Sequence, residues 1–220
     1  MTPVKAVIFD LDGTLLNSLP DIAKVCNEML QRSGHQPHPI KDYANFVGSG
    51  MRNLVKQALP TGCSLTEIDG CFLAMKASYE RQCTVLSHLY AGVSEMLQGI
   101  ESVGLAKAIL TNKPHKAAMR CVDHYLHQFD FAFVVGQEEG KMPKPDPSEA
   151  LQLANRLNVA PEEVCYVGDT AVDMHTAVNA NFFPCGVGWG FRPEELSRAG
   201  ALYVAQRPSD VLSYIIKSAK

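Results

Sequence analysis

The stretch "AVIFDLDGTLLNS", residues 6–18, begins as a buried strand and then does what a buried strand should avoid. Ala6, Val7, Ile8 and Phe9 form a continuous apolar run, the pattern of a strand covered on both faces. Asp10 closes the run and a second acid, Asp12, follows two positions later. In extended backbone, positions i and i+2 point the same way, so this reading sets two carboxylates side by side at the strand's end. Like charges that close disfavour ionisation of both unless something positive lies between them. The pair calls for a cation.

Outward from this strand, short β-rich apolar runs alternate with helical patterns, which predicts a parallel sheet with helices on both faces. The strands are expected at Val4–Asp10, Ala106–Thr111, Phe131–Val135, Val164–Val167, Phe183–Val187 and Leu202–Val204. Helices are expected at Gly92–Val103, His115–Tyr125, Pro147–Leu157, Ala171–Asn179 and Pro208–Lys217. The interval from Asp10 to Ala106 breaks the alternation, because a crossover is normally far shorter. Leu19–Gln31, Met51–Leu59 and Leu65–Cys83 all read as helix there, with the turn-rich Ser33–Pro39 as a loop. The expected architecture is an α/β doubly wound, Rossmann-like core formed by residues 1–16 and 84–220, with an inserted α-helical cap at 17–83.

Composition narrows the partners. The 220 residues are 46% hydrophobic and 20% charged, enough for a real core, and the formal net charge is -3 with no long basic or acidic run. Nucleic acid and anionic membranes are therefore not expected as partners. No apolar run reaches the ~18 residues a membrane span needs, and no basic segment followed by an apolar stretch opens the chain. Seven scattered cysteines without a C-x-x-C pattern read as reduced thiols of a cytoplasmic protein. Cys121, His124 and His127 fall at helical spacing, but such a set converges on a soft metal only with partners from elsewhere, so they read as a polar face.

Ligands of an open α/β sheet bind outside the carboxyl ends of its strands. There the sequence sets Asp10 and Asp12, then Thr111 and Asn112 after "AKAIL", then Asp169 after "VCYVG" with Asp173 one helical turn on. "GKMPKPDP" brings Lys141 and Lys144, and the chemistry accepts either. Converging carboxylates suit a hard cation with oxygen ligands, Mg²⁺ above all, and that ion answers the question posed by Asp10 and Asp12. A carboxylate can act as nucleophile toward phosphorus once its repulsion with a phosphate dianion is neutralised, while a lysine and a hydroxyl hold the phosphoryl oxygens.

"DLDGTLLNS", "LTN", "KPDP" and "GDTAVDM", in this order, resemble the four motifs of the haloacid dehalogenase superfamily of phosphohydrolases. The resemblance covers the whole chain and implies a Mg²⁺-dependent phosphomonoester hydrolase working through an aspartyl phosphate. By it Asp10 is the nucleophile and Asp12 the acid/base; Thr111 and Lys144 bind the phosphoryl group. Asp10, Asp12 (through its backbone carbonyl) and Asp169 are metal ligands, with Asp173 supporting the metal site. The second acid, Asp12, sets the chain apart from members that dehalogenate. "FVGSGMRNLVKQAL" (Phe46–Leu59) and "GVGWGFRPEELSRAGALYV" (Gly186–Val204) are most similar to phosphoglycolate phosphatases. Asn17 departs from the Asp of many relatives, outside the catalytic pair.

Asn112, Gly50 and Arg52 are the expected substrate contacts: "GSG" before Met51 offers backbone N–H groups at a helix start, and Arg52 a cation for a substrate carboxylate. Plainer readings stand beside these. "LDGT" also fits a tight turn, Asp169–Thr170 a helix cap, Ser49 an N-cap and Arg52 an exposed helix residue. Other small-molecule phosphatases (a nucleotidase or a pyrophosphatase), a sugar phosphomutase and a catalytically silent binding module are the alternative functions. Monomer and homodimer are equally compatible with the sequence.

Overall fold

The computed structural model describes residues 3–218, so the expected core's outer ends at 1–2 and 219–220 lie outside the described residues. In chain order the elements are β1 (Ala6–Phe9), β2 (Leu16–Asn17), α1 (Leu19–Arg32), α2 (Tyr43–Phe46), α3 (Met51–Ala58), α4 (Leu65–Gln82), β3 (His88–Leu89) and α5 (Val93–Ser102). There follow β4 (Ala106–Pro114), α6 (His115–Tyr125), β5 (Phe133–Gln137), α7 (Ser148–Arg156), β6 (Val164–Gly168), α8 (Ala171–Asn179), β7 (Phe183–Val187), β8 (Tyr203–Ala205) and α9 (Pro208–Ser218). Six strands form one parallel sheet in the order β5-β4-β1-β6-β7-β8. The Rossmann-like core expected from the alternation is present.

The apolar run of β1 has the cause the sequence reading gave it. Every residue of β1 is fully buried, because successive side chains enter opposite layers. Val7 and Phe9 join the core layer that holds Val93, Met96 and Leu97 of α5, Ala117 and Cys121 of α6, and Val211 and Ile215 of α9. Ile8 joins the other layer, with Ala150, Leu153 and Ala154 of α7 and Ala177 of α8. Chain order runs outward from β1 to β4 and β5 on one side and to β6, β7 and β8 on the other, so β1 sits at the switch point where a cleft opens.

The helices α1 to α4 pack on one another between two strands that the sequence reading missed. Leu16 pairs with Leu89 and Asn17 with His88, antiparallel, where the chain leaves and re-enters the sheet region. Two-residue strands carry no periodicity to read. The fully buried Asp21 on α1 fastens the returning chain: its carboxylate accepts the N–H groups of Val85 (3.1 Å), Leu86 (2.9 Å) and Ser87 (2.9 Å) and the Ser87 hydroxyl (2.6 Å). No helix among the described residues is long and apolar enough to cross a membrane.

Candidate active site

The first motif turns as sharply as the plainer reading of "LDGT" supposed and still delivers its acids. Leu15 and Leu16 donate backbone hydrogen bonds to Leu11 O, and Gly13 N–H to Leu16 O. Gly13 has φ +85°, and a Cβ there would lie 2.1 Å from Asp169 Oδ2, so only glycine lets this turn approach the end of β6. Asp169 is fully buried; its Oδ1 accepts the Thr14 hydroxyl (3.2 Å) and its Oδ2 the Phe191 N–H (2.8 Å).

Lys144 is the hub of the polar base. Its Nζ lies 2.6 Å from Asp173 Oδ1 and 3.0 Å from Asp10 Oδ1, and donates to Tyr166 Oη at 2.9 Å. The Tyr166 hydroxyl in turn donates to Leu110 O. The other oxygen of Asp173 caps α8, accepting the Asp169 and Thr170 N–H groups and the Thr170 hydroxyl. The helix cap expected of Asp169–Thr170 is thus made from the other end, by Asp173 reaching back to their N–H groups. Lys141, the alternative lysine, pairs instead with Glu138 and Glu149 on the exterior.

Asp10, Asp169 and Asp173 offer oxygens within 4.8 Å of one another. Burial pushes the Asp10 carboxyl up to about 7; Lys144 opposes this, while Asp173 and Asp12 add to it. Burial likewise drives Asp169 well above the carboxylate range, helped by Asp173 and Asp10. Burial works against the charge of Lys144, but Asp10 and Asp173 outweigh it and hold that ammonium well above its ordinary value. Asp10 Oδ1 is buried and accepts no hydrogen bond. Three buried carboxylates against one lysine, an Asp10 oxygen whose contact with that lysine is an ion pair without a hydrogen bond, and an all-oxygen donor set fit a hard divalent cation such as Mg²⁺.

Asp12 is arranged differently from the expectation. Its carboxylate is not part of the converging trio but pairs with Lys113 Nζ at 2.7 Å. Each acid also has a lysine beside it, Lys144 for Asp10 and Lys113 for Asp12. Lys113 was missed because the expected strand stopped at Thr111. β4 runs on to Pro114 with a register shift after Leu110, and Thr111 and Lys113, two apart, both line the cleft. Strand alternation past Thr111 was the signal available. Lys113 also donates to Tyr79 Oη (2.5 Å), and Asp12, ahead of Tyr79, offsets the burial that works against its charge and keeps it well above the ordinary lysine value.

The cleft above these groups holds about 530 Å³ of empty volume, part of it open to solvent. Asp10, Asp12, Thr111, Asn112, Lys113 and Thr170 form its polar base; Ile22, Val47, Met51, Leu54 and Met75 form an apolar roof. Gly50 lines it at the start of α3, with φ +86° and no side chain capping the helix, so the first N–H groups of α3 lie at the cleft. Ser49 is not the N-cap.

Two expected substrate contacts need correction. Arg52 does not line the cleft; it is half exposed and pairs with Asp69 of α4, Nη2 to Oδ1 2.7 Å. One residue beyond Met51 turns about 100° around a helix, which carries Arg52 off the face that Met51 and Leu54 present. Asn112 lines the cleft, but its amide bonds to backbone: Nδ2 to Gly48 O (2.8 Å) and Lys144 O (3.0 Å), Oδ1 from Lys144 N (2.8 Å). It positions Lys144 and the segment before α3 rather than offering free donors. The sequence reading also missed Arg192, whose Nη1 donates to Ala44 O (2.9 Å) and Val47 O (2.7 Å) at the C-terminal end of α2. Cys121 is buried and donates to Cys83 O, and it does not converge with His124 and His127.

Residues 7–187 match the family profile described as haloacid dehalogenase-like hydrolase. A phosphoglycolate phosphatase of Rhodobacter capsulatus is 36% identical over 178 residues, 80% of each chain. An N-acetylmuramic acid 6-phosphate phosphatase of Pseudomonas aeruginosa is 28% identical over 214 residues, 96% of this chain and 95% of that one. A solved structure from Lactobacillus delbrueckii, described as a candidate phosphoglycolate phosphatase, superposes with a TM-score of 0.91 at 25% identity and covers 97% of this chain and 99% of the other.

Proposed function

Because this chain belongs to the haloacid dehalogenase-like hydrolases, we propose that it is a Mg²⁺-dependent phosphomonoester hydrolase that works through a phosphoaspartate on Asp10, with 2-phosphoglycolate as substrate. The observation that carries the chemistry is the buried, hydrogen-bond-free Asp10 Oδ1 beside Lys144. In the first step an Asp10 oxygen forms a bond to phosphorus as the bond from phosphorus to the leaving oxygen breaks, and Asp12 gives that oxygen a proton. In the second, water attacks phosphorus, Asp12 takes its proton, and the Asp10–phosphorus bond breaks to return the carboxylate and release phosphate. Lys144 and the Thr111 hydroxyl hold phosphoryl oxygens where charge develops. Asp10 and Asp169, with the Asp12 carbonyl, would hold Mg²⁺, which neutralises the repulsion between two anions. Asp173, both of whose oxygens already accept hydrogen bonds, orients Lys144 and Asp169. Lys113, pinned by Asp12 and Tyr79, keeps Asp12 in place.

The substrate reading rests on the names of the relatives and on two groups at the cleft. The α3 N-terminus at Gly50 offers N–H donors at the cleft, and the Lys113 ammonium, already engaged by Asp12 and Tyr79, adds positive charge to the lining, together a match for the single carboxylate of a glycolate leaving group. The apolar roof favours a second reading, a phosphomonoester with a larger leaving group that presents an apolar face. Phosphate release with Mg²⁺, compared between 2-phosphoglycolate and an aryl phosphate, tests both. The expected kcat/KM favours 2-phosphoglycolate by about tenfold or more, the scale of a charge-assisted contact. A preference for the aryl ester replaces the first substrate with the second and leaves the chemistry standing; no Mg²⁺-dependent release from any ester overturns the function itself.

A further inference from the structure

Away from the cleft, a second group of ligating side chains converges: His35, Cys63 and Glu67 bring a ring nitrogen, a sulfur and a carboxylate oxygen within 4.8 Å of one another. His35 and Cys63 are part-buried and Glu67 lies at the surface beside them, and His35 Nε2 lies 3.0 Å from Glu67 Oε1. They come from two places in the chain and are held by two helix-end devices. The end of α1 is closed by Gly34 at φ +80° and a hydrogen bond from His35 N–H to Leu30 O (2.8 Å), which fixes where His35 leaves the helix. The start of α4 is capped by Ser64, whose hydroxyl accepts the Glu67 N–H (3.2 Å), and this fixes Cys63 and Glu67 on either side of the cap. Because α1 packs on α4, the two devices aim the side chains at each other.

We propose that His35, Cys63 and Glu67 form a binding site for a thiophilic divalent cation, Zn²⁺ by preference, with the fourth tetrahedral position left to water. Imidazole, thiolate and one carboxylate form a mixed borderline donor set that suits zinc and is unsuited to Mg²⁺, which takes oxygen ligands. With zinc–nitrogen and zinc–sulfur bonds of about 2.0–2.3 Å at tetrahedral angles, ligand atoms stand roughly 3.5 Å apart, so no pair of the trio needs to close by more than about 1.3 Å. The ion would displace the His35–Glu67 hydrogen bond and take the thiol proton into solution, as metal binding to a protonated ligand requires. Occupied, the site staples the end of α1 to the start of α4. Ile22, which lines the cleft, lies thirteen residues before His35, nearly all of them along α1, so the two sites are separated by about 20 Å. The site is independent of the proposed activity.

Cobalt(II) reports this geometry without any reference to turnover, because a thiolate ligand adds a charge-transfer band that the all-oxygen cleft cannot produce. The full-length protein, reduced and titrated with Co²⁺ in excess Mg²⁺, is expected to develop that band with intense tetrahedral visible absorption, and one equivalent of Zn²⁺ is expected to erase both. Cys63→Ser should abolish the band, and His35→Ala and Glu67→Gln should weaken Co²⁺ affinity by about tenfold or more. Asp10→Asn and Cys71→Ser should leave it intact. Circular dichroism of each variant separates a lost ligand from a lost fold, and a misfolded Cys63→Ser is replaced by Cys63→Ala. A wild-type protein without the band, or a band that survives in folded Cys63 variants, overturns the proposal.

Discussion

The base of the cleft and its roof are built on opposite rules. In the base, nearly every polar atom has an assigned partner: Asp173 accepts four hydrogen bonds, Lys144 meets two carboxylates and a phenol, and Asp169 is clamped by Thr14 and Phe191. In the roof, Ile22, Met51, Leu54 and Met75 offer area without direction. The base can therefore hold one geometry for one reaction, while the roof tolerates exchange of side chains at constant volume.

The strongest break of this comparison lies at Asp10 in the base. Asp10→Asn is expected to lower kcat by at least about a thousandfold, some 4 kcal/mol, because an amide in that place cannot form the phosphoaspartate. Steady-state phosphate release checks it, and activity within tenfold of wild type would sink the covalent route.

Lys113→Met comes next, since it reaches both layers at once. It leaves the Asp12 carboxylate without its partner and frees Tyr79 of α4. Breaking one side of a buried ion pair costs about 3–5 kcal/mol of stability, and turnover should fall roughly a hundredfold through a displaced acid/base. Urea unfolding read beside kcat separates the two effects; a loss of stability with normal turnover would make Lys113 a packing residue only.

Arg192→Ala tests whether the roof is located from the base. Its guanidinium donates to Ala44 O and Val47 O, and a Cβ on Gly48 would come within 2.9 Å of its Nη2, so the segment ahead of α3 is fitted closely to it. Losing those charge-assisted bonds should raise KM about tenfold while kcat changes far less. Arg192→Lys should restore part of the affinity. An equal fall in kcat and kcat/KM would place Arg192 with the chemistry instead.

What was legible in the sequence divides along the same line. The apolar runs of β1, β4, β6 and β7, and the acids that end β1 and β6, follow from burial and chemistry that any parallel sheet imposes, and each stands where it was expected. Lys113 was legible only by carrying the strand past Thr111, and Arg192 was not legible. The first depends on a register shift inside β4 that continues the strand beyond Thr111, and the second on a contact across 145 residues of chain. The strands β2 and β3 are too short to show alternation, and the bonds from Asp21 to residues 85–87 are visible only once the returning chain is in place. Local pattern reports what a residue is made for within its own element, and it is silent on which distant backbone will need a partner.

Arg52 gives the smallest expected effect and the sharpest use of the comparison. As a sequence feature it belonged to the substrate, one residue beyond the α3 start that faces the cleft. In three dimensions the helix turns it outward, where it meets Asp69 with both side chains about half exposed, 49% and 52%. An exposed pair of this kind contributes about 0–1 kcal/mol. Arg52→Ala should therefore change kcat/KM by less than about twofold, and by the same small factor for 2-phosphoglycolate and for an aryl phosphate. Leu54→Ala, on the face that lines the cleft, is the contrast: it should alter the two substrates unequally, because it removes apolar area that only the bulkier ester can reach. A selective tenfold loss on 2-phosphoglycolate in Arg52→Ala would mean that α3 rotates or unwinds to deliver the guanidinium on closure, and the division between directed base and undirected roof would then fail at its own edge.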